Sequence, residues 1–198
     1  MIYLRPIRPD KIYAFSKKAF FRSFANKVFS YQVLDTQLGP MLCVWESDTL
    51  LGVFFSIFDQ ELLEKEFGKR EYKNSSSDQN PLYQKLINQK KLSISVYGPS
   101  FFLKTWQLLS TYNTQTTYKE LSERLIASKA HRAVANAMAT NRLAFVLPCH
   151  LVLTVSNGLG GFRWGLKLKK SLIELEGIHN QLTTKKIRKT LFEQILDI

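Results

Sequence analysis

The chain has 198 residues, with 28 Lys+Arg against 16 Asp+Glu, a formal net charge of +12 and only two cysteines. At 45% hydrophobic and 22% charged it is globular rather than disordered in composition, one ordinary domain or two small ones in size. Two cysteines exclude a disulfide scaffold and a cysteine-rich zinc finger, and three histidines make a histidine metal cage a poor fit. The apolar runs fall short of the roughly 20 residues a membrane span needs, and Met1–Asp10 carries Arg5, Arg8 and two prolines where a secretory signal would be apolar. These features point to a soluble intracellular protein, with no membrane partner and a basic surface suited to a polyanion.

Residues 11–33 interleave aromatics with bases, a pattern that serves either a stacking platform or, more commonly, a core with a wet basic face. Phe20, Phe24 and Val28 at four-residue spacing predict a short amphipathic helix. Tyr31–Thr36, Met41–Trp45 and Leu50–Phe58 read as consecutive strands joined by Gly/Pro and Ser/Asp turns, an antiparallel meander. Asp59–Phe67 reads as a helix, Glu71–Pro81 as a loop, Pro81–Lys90 as a short helix and Leu92–Val96 as a last strand. Tyr97-Gly-Pro-Ser then marks a boundary between domains at 1–96 and 97–198. The first part carries net +4 and the second net +8, which makes the second the better candidate for phosphate contact.

Beyond the boundary, Phe101–Leu109 predicts a helix, and Thr116–Ile126 a second one capped by Thr116 or Thr117 with Glu120 in its first turn. An Ala127-Ser128 turn leads to a third helix, Lys129–Thr140, giving a helix-turn-helix shape. Leu143–Leu147 reads as a strand-like run ahead of Pro148-Cys149-His150. A thiol beside a base is a candidate nucleophile once a carboxylate orients the imidazole, and Glu174 and Glu176 lie downstream. Adjacent residues in an extended segment face opposite ways, so a water relay or a turn is required; a buried structural cysteine is the other reading. Cys43, inside a predicted strand, reads as structural. Ile187, Leu191 and Ile195 predict a helical tail.

The segment HRAVANAMATNRLAFVLPCHLV, followed by NGLGGFRWGLKLKKSLIELEG, resembles the O6-alkylguanine-DNA alkyltransferase family, most closely the C-terminal half of bacterial Ada-type proteins. The likeness covers about Phe101–Gly177, with a weaker one at DTQLGPMLCVWESDTLLGVFFSIF. It implies an α+β fold: an N-terminal antiparallel, ribonuclease H-like sheet and a C-terminal winged-helix-like domain. It implies single-turnover DNA repair, in which a methyl or alkyl group passes from O6-alkylguanine in double-stranded DNA to the protein's own cysteine. No cofactor or metal is implied, and a monomer acting where the genome lies is expected: cytoplasmic and nucleoid-associated in a bacterium, nuclear in a eukaryote.

By the same resemblance, Cys149 is the acceptor, His150 takes its proton through a water, and Glu176 orients His150. Tyr118 serves guanine N3, and Asn141 braces the active-site turn. Arg132 fills the gap left by the flipped nucleotide, with Ala133, Ala135, Ala137 and Met138 on the groove-docking helix. Val152 reads the guanine amino group through its carbonyl. Gly160, Gly161, Phe162 and Arg163 form the opposite pocket wall.

Several positions depart from the family pattern. Leu151 stands where an arginine follows Pro-Cys-His, and its loss is expected to alter local order or transfer rate. Phe162 replaces a tyrosine, Arg142 a frequent proline, and Ser110–Gln115 lacks the family's Pro and Gly, with Asn113 offered for a left-handed turn. The four-cysteine zinc domain of complete Ada-type proteins is absent from this sequence, which gives no support for transcription activation. An alkyltransferase-like protein that binds lesions without transfer remains an alternative, as does a basic DNA-packaging protein.

Overall fold

In the computed structural model, residues 1–75, 84, 85, 88, 91–125, 129–156 and 158–177 are described. Six strands form the main sheet: β1 (Lys11–Phe15), β2 (Phe29–Thr36), β3 (Gly39–Glu46), β4 (Thr49–Phe54), β5 (Tyr72–Asn74) and β6 (Ser93–Tyr97). Their order is β1-β6-β4-β3-β2-β5. The predicted meander is present, with β2–β3 and β3–β4 antiparallel and Val33 opposite Leu42. The sheet as a whole is mixed, because β6 runs parallel to both β4 and β1, and β5 parallel to β2. The chain between β4 and β6 contains helix α2 (Gln60–Phe67), and a helical crossover returns a strand parallel. Short β1 lies in the aromatic-basic segment 11–33, ahead of its predicted helix, and β5 in the segment read as a loop; neither was expected as a strand.

Helix α1 (Lys17–Ser23) starts where the Ser16 side chain accepts from the Ala19 N–H. It ends at Phe24, so Val28 lies outside it and is 43% exposed. β4 stops at Phe54, short of the expected Phe58, which instead stacks on Tyr31 with centroids 4.3 Å apart. The helix expected at 81–90 falls largely outside the described residues, as do the Ala127-Ser128 turn and the tail helix.

Alternation along β3 explains how the sheet carries two cores. Met41, Cys43 and Trp45 face one cluster, while Leu42 and Val44 face the other. The second cluster is aromatic, with Phe20 0% exposed and its ring 4.5 Å from that of Tyr97. The residues of segment 11–33 that matter here are therefore core. The first cluster joins sheet residues such as Met41, Val53 and Ile94 to Trp106, Leu121, Val134 and Leu172 from the C-terminal helices. Each such side chain contributes about 1.5–3 kcal/mol on burial.

Those helices are α3 (Ser100–Leu109), α4 (Tyr118–Arg124), α5 (His131–Ala139) and α6 (Leu166–Leu175). The start of the second helix is shorter than expected, because Thr116–Thr117 forms β7, paired in parallel with β8 (Val152–Leu153). Thr117 then caps α4: its hydroxyl accepts from the Glu120 N–H, and the Glu120 carboxylate accepts from the Thr117 N–H. Ahead of it, Asn113 is not left-handed, since Ser47 and Phe145 alone among the described non-glycine residues have positive φ. The chain leaves α3 instead through bonds from Thr111 to the Leu108 carbonyl and from Tyr112 to that of Leu109. Trp106 Nε1 donates to the Ala137 carbonyl at 2.9 Å and locks α3 against α5. No helix among the described residues is long and apolar enough to cross a membrane.

Candidate active site

Residues 143–147 do not form the expected strand. All five are buried, the pattern of a continuous apolar run whose periodicity cannot separate strand from turn. Leu143 makes one bridge to Val53, and the chain then turns, with Phe145 at φ 72 and the Leu147 N–H bonded to the Leu143 carbonyl. Asn141 staples both ends of this turn. Its Oδ1 accepts from the Leu143 N–H at 2.9 Å, and its Nδ2 donates to the Leu147 carbonyl at 3.1 Å. The same Nδ2 lies 3.1 Å from Cys149 Sγ. Pro148 leads into a 3₁₀ turn, Cys149–Leu151, so Cys149 and His150 sit on a turn rather than on an extended strand.

Behind the thiol lies a sealed polar chain. His150 is fully buried, and its Nε2 is 2.8 Å from Glu176 Oε1. That oxygen also accepts from Arg8 Nη2 at 2.8 Å. The carboxylate fixes the proton on Nε2 and leaves Nδ1 as the basic nitrogen, which has no partner among the described residues. Lys169 is also buried; its ammonium donates to the Val152 carbonyl at 2.7 Å and to that of Leu159.

In front of the thiol is an open cleft of about 500 Å³. Of the sequence-predicted residues, Tyr118, Ala135, Met138, Cys149, Gly160, Gly161, Phe162 and Arg163 line it, joined by Asn136, Ala139 and Thr154. Gly160 has φ 62, and a Cβ there would meet Tyr118 Cε2 at 3.3 Å and Thr154 Cγ2 at 3.2 Å, so glycine lets the loop close onto the tyrosine ring. Phe162 packs edge-on against Trp164 at 5.3 Å. Arg163 turns its side chain away to Glu66, a buried carboxylate on α2 that also binds Arg142 at 2.6 Å. Arg142 stacks 3.9 Å over the Tyr97 ring, so the base in place of a proline has a structural partner.

Other predicted residues stand elsewhere. Asn141, His150 and Glu176 lie behind the cleft. Arg132 is exposed at the start of α5 and makes no ion pair among the described residues, while Ala133 is half-buried. Ala137 is buried against Trp106, so the three alanines do not share one outer face. Val152 is buried off the cleft with its carbonyl already engaged by Lys169. Leu151 is fully buried in apolar surroundings, where a guanidinium would need a partner.

Burial pushes the Cys149 thiol up, against the opposing pull of Asn141 and Lys169. Burial pushes His150 down, although Glu176 favours its charged form; Arg8 and Lys169 add to the lowering. Burial raises Tyr118. Lys169 is lowered by burial to about 8. Burial works to raise Glu176, but hydrogen bonds from His150 and Arg8 outweigh it and hold the carboxyl below its ordinary value. The resting site is therefore a thiol, a neutral imidazole and a neutral phenol around an ionised carboxylate. Cys43, buried in β3, is pushed up to about 12 by burial, as suits a structural thiol.

Residues 100–178 match the family described as "6-O-methylguanine DNA methyltransferase, DNA binding domain". The chain is 28% identical to the Escherichia coli "Bifunctional transcriptional activator/DNA repair enzyme Ada" over 182 residues, 85% of this chain and 51% of Ada. It is 27% identical to the Mycobacterium leprae "Methylated-DNA--protein-cysteine methyltransferase" over 157 residues, 76% of this chain and 93% of that protein. The match to the family's DNA-binding domain thus covers residues 100–178, and these relatives extend the similarity to most of the chain. Another relative, the Kluyveromyces lactis "Methylated-DNA--protein-cysteine methyltransferase", is 40% identical over 81 residues, 40% of this chain and 43% of that protein. The chain thus spans about half the length of the Escherichia coli and Kluyveromyces lactis relatives. Among solved structures, the Mycobacterium tuberculosis OGT in complex with DNA shares the fold, with TM-score 0.61, 22% identity, and 75% of this chain and 93% of that one covered. The Pyrococcus kodakaraensis O6-methylguanine-DNA methyltransferase gives TM-score 0.56 at 25% identity, covering 76% and 99%. The α+β class expected from sequence holds in these alkyltransferases and in this chain.

Three functional-looking residues escaped the sequence reading: Arg8, Glu66 and Lys169. Helical spacing held a signal for two of them. Lys169 shares the buried face of α6 with Leu172 and Ile173, and Glu66 that of α2 with Leu63 and Phe67. A charged residue at a core position is a flag for a paired or functional group. Arg8 had no local signal.

Proposed function

We propose that this protein repairs O6-alkylguanine in double-stranded DNA by moving the alkyl group onto Cys149, once per molecule. The carrying observation is the placement of Cys149 Sγ at the wall of an open cleft, with Asn141 at 3.1 Å and the His150–Glu176 pair sealed behind it. The relatives named as methylated-DNA–protein-cysteine methyltransferases, and the fold neighbour solved with DNA, support the reading.

The thiol proton passes through one water to His150 Nδ1, and the resulting imidazolium is stabilised by Glu176. The sulfur attacks the alkyl carbon in line, and the C–O6 bond breaks with its electron pair moving to guanine. Tyr118 gives guanine a proton and recovers one from solvent. The thioether is stable, so no step restores the thiol and no cofactor takes part. Arg132, exposed on α5, occupies the space of the extruded nucleotide, while Ala135, Asn136, Met138 and Ala139 give the helix a low profile at the groove. Gly160, Gly161, Phe162 and Arg163 form the far wall around the base.

We also read 1–96 as a ribonuclease H-like unit and 97–198 as a winged-helix-like one in which α4 and α5 form the helix-turn-helix. A shared core joins residues of both parts, which supports reading the first as a scaffold for the second. A monomer acting in the compartment that holds the genome follows from this reading.

The test is to incubate the protein with duplex DNA carrying radiolabelled O6-methylguanine and map the label by mass spectrometry. One label per molecule, on Cys149 and not on Cys43, is expected. A folded protein that binds the lesion and takes no label is a lesion binder without transfer, and the proposal fails.

A further inference from the structure

Arg8 sits in a segment fixed to the body at several points. Leu4 and Ile7 are in the core, and the Leu4 backbone exchanges hydrogen bonds with the Gln37 side chain at 2.8 and 3.0 Å. The guanidinium is itself held on two sides. Nε donates to the Tyr112 carbonyl at 2.9 Å, and Nη1 to the Ile7 carbonyl at 3.0 Å. Its remaining nitrogen, Nη2, is thereby aimed at Glu176 Oε1, the same oxygen that accepts from His150.

Glu176 needs such a partner. It stands at the C-cap of α6, where the helix dipole disfavours a negative charge, and its side chain is only 5% exposed. With His150 as its sole neighbour of opposite tendency, this carboxylate would draw the imidazole toward its protonated form. A protonated imidazole has no lone pair for the thiol proton.

We propose that Arg8 is a positioning residue of the transfer site: it holds Glu176 in place and satisfies its charge, so that His150 stays neutral and ready to accept the Cys149 proton. The inference rests on the alkyl-transfer reading above. The groups facing His150 are Glu176 and Lys169 from α6 and its cap, Arg8 from the N-terminal segment and the Cys149 thiol on its own turn. The Tyr118 hydroxyl lies beyond the sulfur, and the buried Tyr112 hydroxyl belongs to the residue whose carbonyl Arg8 binds. Of these, Arg8 and Lys169 carry positive charge, and Arg8 alone touches the carboxylate.

The experiment compares the wild-type protein with Arg8→Gln, which removes the charge, and Arg8→Lys, which keeps it. Two readouts are taken: the His150 titration by NMR, and the rate of methyl transfer from O6-methylguanine duplex against pH. In Arg8→Gln the His150 midpoint and the acid limb of transfer are expected to move up by about one pH unit, a tenfold slower transfer below the limb. The high-pH plateau is expected to stay within about threefold of wild type. Arg8→Lys is expected to keep the wild-type limb. An unmoved His150 midpoint in folded Arg8→Gln overturns the proposal. So does an Arg8→Lys limb displaced as far as that of Arg8→Gln, or an Arg8→Gln chain that does not fold, because Arg8 then serves the scaffold alone. Absence of label in the wild type would instead defeat the transfer reading, and the NMR titration would still decide the role of Arg8.

Discussion

In front of Cys149 the walls are rings, small residues and two glycines around an open cleft; behind it the groups are polar, largely withdrawn from solvent and each bonded to a neighbour through at least one atom. Tyr118, Ala135 and Phe162 leave space for a guest. Asn141, His150, Glu176, Arg8 and Lys169 leave none. The same sulfur belongs to both regions, which on the proposed function separates two demands: the front would admit DNA, and the back would keep a proton acceptor neutral away from bulk solvent. The two regions should therefore fail differently. Damage to the back should cost stability along with rate, and damage to the front rate or binding alone.

The largest effect is expected from Lys169→Met. It leaves the Val152 and Leu159 carbonyls without their buried donor, at a cost of about 2–4 kcal/mol in urea denaturation. A loss below about 0.5 kcal/mol would break the contrast, since the back would then be no more structural than the front.

Acid is the next probe of the back. His150 is depressed below 6.5 in the folded protein by burial, so the unfolded chain binds more protons as pH falls. Stability contributed by its neutral form is present above about pH 6.5 and is lost as pH falls below it. Glu176, also depressed, adds a further loss below its ordinary 4.5. Denaturation midpoints measured from pH 8 to 4 should fall in that order, and His150→Gln should remove the first fall.

At the front, Tyr118→Phe is expected to slow single-turnover transfer by about tenfold, with an unchanged thermal midpoint. A stability loss matching the rate loss would make Tyr118 part of the scaffold. Arg132→Gln is the mildest change. It should weaken duplex binding and lower the salt slope of binding by about one, without moving the midpoint.

The sequence made the front easier to read than the back. Pro148-Cys149-His150 and the Gly160–Gly165 loop are local strings that hold Cys149, Gly160, Gly161, Phe162 and Arg163 of the cleft, and Ala135, Asn136, Met138 and Ala139 come from one short helix. The back is assembled from distant pieces. Arg8 meets Glu176 only because the N-terminal segment is threaded past Tyr112, and no window of sequence contains both. The meander was legible because β2, β3 and β4 alternate and are joined by short turns. The parallel edges were not, because β1 pairs with β6 about eighty residues away and strand direction depends on the crossover between them. Leu143–Leu147 misled for a different reason. All five are apolar, and the turn they make is set by the side chain of Asn141, which periodicity does not register.

The Arg8–Glu176 bond joins residues 168 positions apart. During synthesis at about 5–20 residues per second, Arg8 therefore emerges on the order of ten seconds or more before its partner. Until then the carboxylate that orients His150 does not exist, and the thiol has no organised base behind it. On the proposed function, the carboxylate that completes the base behind a single-use thiol is therefore synthesised after every residue that lines the cleft.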